Sequence, residues 1–302
     1  MISIIVCTYN RDKYLYDALS HIADNDYPAD DYEIILVNNN STDNTLAEAE
    51  RFKLAYPNIN ITIVTELQNG LSFARNRGIE ESKGDFLVFL DDDTAVDSNY
   101  LHNISENLAQ HPDTIAFGGK VVPIFETGMP QWVSCWTMPL FAVTDKGEGT
   151  GLFKGMSYPV GANMGVKRSA FEKYGTFDTQ LGRKWNLLLG GEEKDFFYRL
   201  KADKQKIYYF GNIAAEHLIP ATRTTYDYIK NIGIGIGISE RIRYKKKKSI
   251  RVLSKAIWEI AKNCGSLLLW AYYAISFRPS KGKAIMILRK NVVAGFMKRQ
   301  ES

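Results

Sequence analysis

The sequence predicts an α/β fold: an open, mostly parallel, twisted sheet with helices on both faces, followed by a basic helical tail. Three observations predict it. Short apolar runs alternate with amphipathic stretches through the first third of the chain. A polar cluster follows several of those runs, where ligands bind in such sheets. The charge is also divided, with acids in the body and bases in the tail.

Taken in order, Ser3–Cys7 is apolar and rich in β-branched residues, as a strand buried on both faces should be. Leu15, Ala18, Leu19 and Ile22 fall at helical spacing, so Lys13–Ala23 reads as an amphipathic helix. Tyr32–Val37 is a second buried strand. Ser41 can cap the helix that follows, in which Asn44–Tyr56 carries Leu46, Ala49 and Phe52 on one face. Ile59–Val64 is a third strand, Leu71–Ser82 a helix and Phe86–Leu90 a fourth strand. Residues 112 to 190 are less regular and dense in glycine and aromatic side chains, including Trp132, Trp136, Phe141, Phe153 and Tyr158. They suit loops and short strands around a cleft. From Ser249 the pattern turns helical, with Ile250, Leu253, Ile257 and Ile260 in phase. We therefore divide the chain into residues 1–115, residues 116–240 in the same domain, and a tail of residues 241–302.

Composition narrows the function classes. Of 302 residues, 45% are apolar and 24% charged, a globular balance that excludes a disordered or collagenous chain. The three cysteines, Cys7, Cys135 and Cys264, contain no Cys-x-x-Cys pair, which points away from a disulfide framework or zinc ribbon and toward a reducing compartment. The first apolar run is too short and lacks the basic flank of a signal peptide. From Arg241 to Ser302 there are 16 Lys/Arg and two acids, a net of +14, which leaves −10 on residues 1–240. An acidic body argues against nucleic acid as partner. The basic tail suits an anionic membrane surface.

The polar clusters are Thr8-Tyr9-Asn10-Arg11 after the first strand, Asn38 to Asp43 after the second and Asp91-Asp92-Asp93 after the fourth. All three should meet at one edge of the sheet. Ser41 and Asp43 alone read equally well as a helix cap. Three adjacent carboxylates repel one another unless a cation neutralises them, and a hard divalent ion with oxygen ligands explains them best. Downstream, Glu192, Glu193 and Asp195 either open a helix, where acids favour the positive end of the dipole, or supply a catalytic carboxylate; both can hold at once. Gly233-x-Gly235-x-Gly237 lacks the spacing and the preceding strand of a dinucleotide loop, and reads as a close-packed helix or a flexible joint.

The order Thr-Tyr-Asn-Arg, Val37 to Asp43, Ala74-Arg75-Asn76-Arg77-Gly78 and Phe89 to Asp93 resembles a family 2 glycosyltransferase of the GT-A fold. Gly190 to Asp195 and Glu216-His217-Leu218-Ile219-Pro220 extend the resemblance, which covers about residues 1–240. It implies an inverting transfer from a nucleotide-diphosphate sugar, with Mn²⁺ or Mg²⁺ held by Asp93, Asp91 and His217. It implies donor contacts from Thr8, Tyr9, Asn10, Asn38, Arg75, Asp91 and Asp92. The commoner pattern has Asp where Asn38 stands, which leaves UDP- and GDP-sugars both open. The resemblance puts the general base in the segment containing Glu192, Glu193 and Asp195, with Glu193 in place of the usual Asp. It makes residues 1–115 the donor half and 116–240 the acceptor half.

A sugar-phosphate nucleotidyltransferase would want a glycine-rich phosphate loop after the first strand, and Thr-Tyr-Asn-Arg is not one. A non-catalytic nucleotide-sugar or glycan-binding subunit would not need the intact acidic clusters. The expected partners are the donor, a glycan or lipid-linked acceptor, and an anionic membrane at the cytoplasmic face. In the tail, Asn263–Phe277 is uncharged over 15 residues, short of the ~20 that cross a bilayer. With Lys245–Lys248 it suits a helix lying in the membrane interface; packing on the body or within a homo-oligomer is the alternative.

Overall fold

A computed structural model describes residues 1–184, 187–245 and 249–298. They form two compact units. The first comprises Met1–Ile124, Ala142–Thr179 and Glu193–Leu218; the second comprises Phe125–Phe141, Gln180–Glu192 and Ile219–Ser302.

The elements run β1 (Ile2–Thr8), α1 (Leu15–Ala23), β2 (Tyr32–Asn38), α2 (Thr45–Ala55), β3 (Ile61–Thr65), α3 (Leu71–Glu81) and β4 (Phe86–Asp91). There follow β5 (Thr94–Val96), α4 (Tyr100–Gln110), β6 (Ala116–Phe125), β7 (Thr150–Leu152), β8 (Asn163–Lys167) and α5 (Arg168–Tyr174). Then come α6 (Glu192–Ala202), β9 (Ile207–Ile219), α7 (Tyr226–Lys245), α8 (Ser249–Ile275) and α9 (Pro279–Met297).

Among the described residues one sheet runs β3-β2-β1-β4-β8-β6-β9-β5, with β7 on β9. The β1–β2, β1–β4 and β2–β3 pairs are parallel; β4–β8, β6–β8, β5–β9 and β7–β9 are antiparallel. The parallel part is the half that the apolar runs predict, since its strands are covered on both faces. Side chains alternate across it. Ile4, Val6 and Leu36 join Leu19 and Phe52 in one core, while Ile5, Val37 and Phe89 join Ala74, Met164 and Phe196 in the other. Gly78 permits α3 to lie on β1, because a Cβ there would overlap the Ile5 side chain.

Two local expectations differ from the structure, both at α2. Ser41 does not cap α2: its hydroxyl accepts the Asn10 N–H at 3.0 Å, and the Asp43 carboxylate takes the Thr45 N–H at 3.0 Å. Leu46 is 43% exposed, and Thr45 joins Ala49 and Phe52 on the buried face of α2. Strand β9 runs as far as Ile219, with its alternate residues buried through that whole length.

In the second unit the glycine triplet is a close-packed helix. A Cβ on Gly237 would overlap the Val292 carbonyl of α9, and one on Gly295 would overlap the Ile234 carbonyl of α7. A Cβ on Gly233 would come within 3.0 Å of the Leu288 carbonyl, and Gly235 admits the Leu188 backbone. Lys246–Lys248 and the side chains of Ile250, Leu253 and Ile260 lie outside the described residues. Among the described residues no helix is long and apolar enough to cross a membrane.

Candidate active site

The site is built at the carboxyl edge of the parallel strands. Register places Thr8 beside Asn38 and Cys7 beside Asp91, so the clusters that follow β1, β2 and β4 meet there. Asn10 takes a left-handed backbone (φ 53°), which asparagine tolerates, and its side-chain Oδ1 accepts the Thr42 N–H at 2.8 Å. The Asn38 Oδ1 accepts the Ser41 N–H at 3.0 Å. Thr8 and Asn38 are buried and Tyr9 is exposed.

Asp91 ends β4 and Asp92 and Asp93 form the turn after it, which the Thr94 hydroxyl tightens by donating to the Asp91 carbonyl at 2.7 Å. The antiparallel β9 sets His217 opposite Thr94, and the Leu218 N–H donates to the Asp93 carbonyl at 2.9 Å. This brings His217 Nε2 to 3.1 Å from Asp93 Oδ1, with both side chains buried. The other oxygen of Asp93 accepts from Arg11 Nη2 at 2.9 Å, and Arg11 Nε lies 3.5 Å from Asp92. Burial pushes the Asp92 carboxyl up to about 6; the Arg11 guanidinium works against that rise and the Asp93 charge adds to it. Burial also pushes the Cys7 thiol up to about 12, so it is no nucleophile at neutral pH.

Arg75 links this cluster to the start of α6. Its Nη2 stands 4.0 Å from Asp91 and its Nη1 3.2 Å from Glu193 Oε1. That carboxylate oxygen also accepts the Gly161 N–H at 3.0 Å. Gly161 has to be glycine here, since a Cβ would overlap both the Arg75 guanidinium and the Glu193 carboxylate. Asp195 pairs with Arg199 at 3.4 Å, one turn along α6. Glu192 is buried and ends a segment of the second unit.

One atom each from Asp91, Asp93 and His217 lies within 4.8 Å of the others. Adjacent ligand atoms on a small divalent cation, each at about 2.0–2.1 Å, stand about 3 Å apart. The 3.1 Å between Asp93 and His217 fits that spacing. Two carboxylates and an imidazole also suit a divalent metal by their chemistry. The residues present therefore fit such an ion.

Residues 3–175 match the family model described as glycosyl transferase family 2. The chain belongs to that family. It is a glycosyltransferase, and its fold is shared with solved enzymes of the GT-A class. A Pyrobaculum calidifontis mannosyltransferase, solved with GDP-Man and Mn²⁺, superposes with a TM-score of 0.64 at 17% identity, over 96% of this chain and 86% of that one. Staphylococcus aureus TarS residues 1–349, solved with UDP-GlcNAc, gives 0.57 at 16% identity, over 99% and 93%. A glucosyl-dolichyl phosphate glucuronosyltransferase of Haloferax volcanii is 23% identical over 246 residues, 80% of this chain and 76% of that protein. Other relatives are matched over much less of their length: 33% of AglE from the same organism and 24% of TarS.

Sequence reasoning placed Thr8, Asn38, Asp91, Asp92, Asp93, Arg75, Glu193 and His217 in the site region, and the first unit contains all of them. It missed two residues. Arg11 belonged to a motif already singled out, and an acidic triplet demands a counter-charge at its own sheet edge. Gly161 carried no signal, since its role depends on the two side chains that crowd it.

Proposed function

We propose that this glycosyltransferase moves a sugar from a UDP- or GDP-sugar to a hydroxyl of a glycan or lipid-linked acceptor, inverting the anomeric centre. The observation that carries the reading is the chain Asp93–Asp91–Arg75–Glu193, which runs from a candidate cation site to a positioned carboxylate. Residues 1–115 serve the donor and 116–240 the acceptor. Thr8, Tyr9, Asn10 and Asn38 hold the nucleoside, and Arg75, Asp91 and Asp92 border the diphosphate and sugar. Asn38 both donates and accepts, so it can pair with the edge of either base.

Glu193 serves as general base. Its Oε1 is fixed by Arg75 and by the Gly161 amide. As the acceptor oxygen bonds to the anomeric carbon, the bond to the diphosphate breaks and its electron pair leaves with the phosphate. The acceptor proton passes to the Glu193 carboxylate, which is worth ~10²–10⁴ in rate. Asp195 and Glu192 sit in the same segment, and Asp195 is the alternative base. Asp91, Asp93 and His217 would hold Mn²⁺ or Mg²⁺, with the imidazole favouring Mn²⁺, and the ion would act as a Lewis acid on the leaving diphosphate. The named activities of the archaeal relatives, which act on dolichyl-linked sugars, support a lipid-linked acceptor. That acceptor and the cationic tail support a peripheral place at the cytoplasmic face of the membrane.

The test is a thermal-shift screen of UDP- and GDP-sugars with Mn²⁺, because a ligand of the folded state stabilises it by mass action. A nucleotide sugar present at about 100 times its Kd should contribute about 2.7 kcal/mol. No shift from any UDP- or GDP-sugar, with or without Mn²⁺, would overturn the donor assignment.

A further inference from the structure

Helix α8 carries its apolar residues on the outside. Ile257 is 60% exposed, Leu268 76%, Tyr272 62% and Ile275 79%. With Ala261 and Cys264, also exposed, they repeat at three and four residues and form one stripe about 27 Å long. Its buried residues, Glu259, Ser266 and Tyr273, fall on the opposite side of the helix. Trp258 flanks the stripe, whereas Trp270 turns toward Gly282 of α9, and Phe277, 93% exposed, follows the helix end.

The charge along this stretch of the chain has one sign. From Ile257 to Lys298 the only acid is Glu259, which is buried and paired with Lys262 at 2.6 Å and with Arg289 at 3.9 Å. Arg278, Lys283, Lys290 and Lys298 are exposed. Next to the end of α8 lies a pocket of about 470 Å³, lined by Met129, Pro130, Val133 and Phe277 together with Arg278 and Lys281. It combines an apolar wall with two cations.

We propose that this face docks onto an anionic lipid bilayer, with α8 lying in the interface and Arg278 and Lys281 receiving lipid phosphate. The proposal gives a surface to the peripheral location inferred above and rests on that reading. Charge selects the occupant. Pairing the stripe with a second copy would bring two strongly cationic segments together, which costs rather than stabilises. A lipid surface offers negative headgroups above apolar chains, and aromatic residues at the border suit that boundary. Two separable demands follow: salt weakens attraction to the headgroups, but not burial of the stripe.

The experiment is co-sedimentation of the full chain with vesicles of phosphatidylglycerol and phosphatidylcholine, compared with phosphatidylcholine alone. The wild type should bind the mixed vesicles, and high salt should reduce that binding without removing it. Arg278→Gln with Lys281→Gln should bind the mixed vesicles about 25-fold more weakly, at about fivefold per cation near the surface. Leu268→Glu with Ile275→Glu should lose binding to both. These positions are exposed, so an unchanged melting temperature is expected and checks the fold. A wild type that ignores anionic vesicles, or a glutamate pair that binds as well as wild type, overturns the proposal. So does a wild-type dimer in light scattering that the glutamate pair converts to monomer, since the occupant would then be a second copy. Nucleotide-sugar stabilisation, read on the same proteins, is independent: its absence would refute the donor assignment and leave the vesicle result standing.

Discussion

Asp92 carries a cost that can be measured. It is buried behind Arg11 and beside Asp93, and its carboxyl is raised from an ordinary 3.8 to about 6. A folded-state value above the unfolded one means that the native protein holds the proton more tightly. Stability is therefore greatest below about pH 4 as far as this group is concerned, and is lost as pH rises through 6. At 1.36 kcal/mol per tenfold change, the difference amounts to about 2–3 kcal/mol. Asp92→Asn keeps the shape and removes the titration. The gap in stability between variant and wild type should be smallest near pH 4.5 and open in the variant's favour by about 2–3 kcal/mol at pH 7.5. In a thermal melt with EDTA this is roughly 5–10 °C, at 2–4 °C per kcal/mol for a body of this size. Groups common to both proteins cancel. A gap that stays constant between the two pH values, or closes as pH rises, would refute the account of Asp92 as a desolvated carboxylate. Saturating Mn²⁺ should narrow the gap, because a cation beside the triplet offsets the charge that burial penalises.

Glu193→Gln should leave nucleotide-sugar affinity within a few-fold of wild type and reduce turnover by ~10²–10⁴; if Asp195→Asn shows that pattern and Glu193→Gln stays active, the roles are exchanged. Arg11 holds one oxygen of Asp93 and leaves the other toward His217, so Arg11→Gln should weaken Mn²⁺ binding about 10–100-fold, the range for a lost orienting partner. Electron paramagnetic resonance of free Mn²⁺ reads this directly, and binding as tight as wild type would reduce Arg11 to a mere counter-charge. Gly237→Ala forces a methyl into the Val292 carbonyl of α9, and overpacking of this kind should cost about 1–3 kcal/mol. An unaltered melting profile would mean that α7 and α9 separate easily.

The parallel half of the sheet was legible because its physics is local. A strand covered on both faces has to be apolar at every position, and Ile2–Thr8, Tyr32–Asn38 and Phe86–Asp91 are nearly so. The antiparallel half leaves no such trace. In β8, Gly165 lies under the Phe117 ring, a contact set by a residue 48 positions away in sequence. Helix α7 was hidden for the opposite reason. Its glycines each cost about 1 kcal/mol of helix propensity, so the segment reads equally as a close-packed helix or a joint until α9 and the Leu188 backbone are seen to need the space.

The site was legible as far as the strand ends carry it. Residues just past β1, β2 and β4 must share an edge in a parallel sheet, so Thr8, Asn38 and the aspartate triplet could be grouped before any coordinate was known. An acidic triplet announces itself, because three carboxylates side by side repel and something must neutralise them. Its partners do not announce themselves. The chain has 38 Lys and Arg residues, and nothing local says that Arg11 meets Asp93 or that Arg75 bridges Asp91 to Glu193. Those pairings depend on a crossover between strands and on a glycine, Gly161, whose missing side chain leaves room for both ends of the bridge. Acid clusters can thus be found by the repulsion they create. The groups that relieve it become visible only when the fold brings distant segments together.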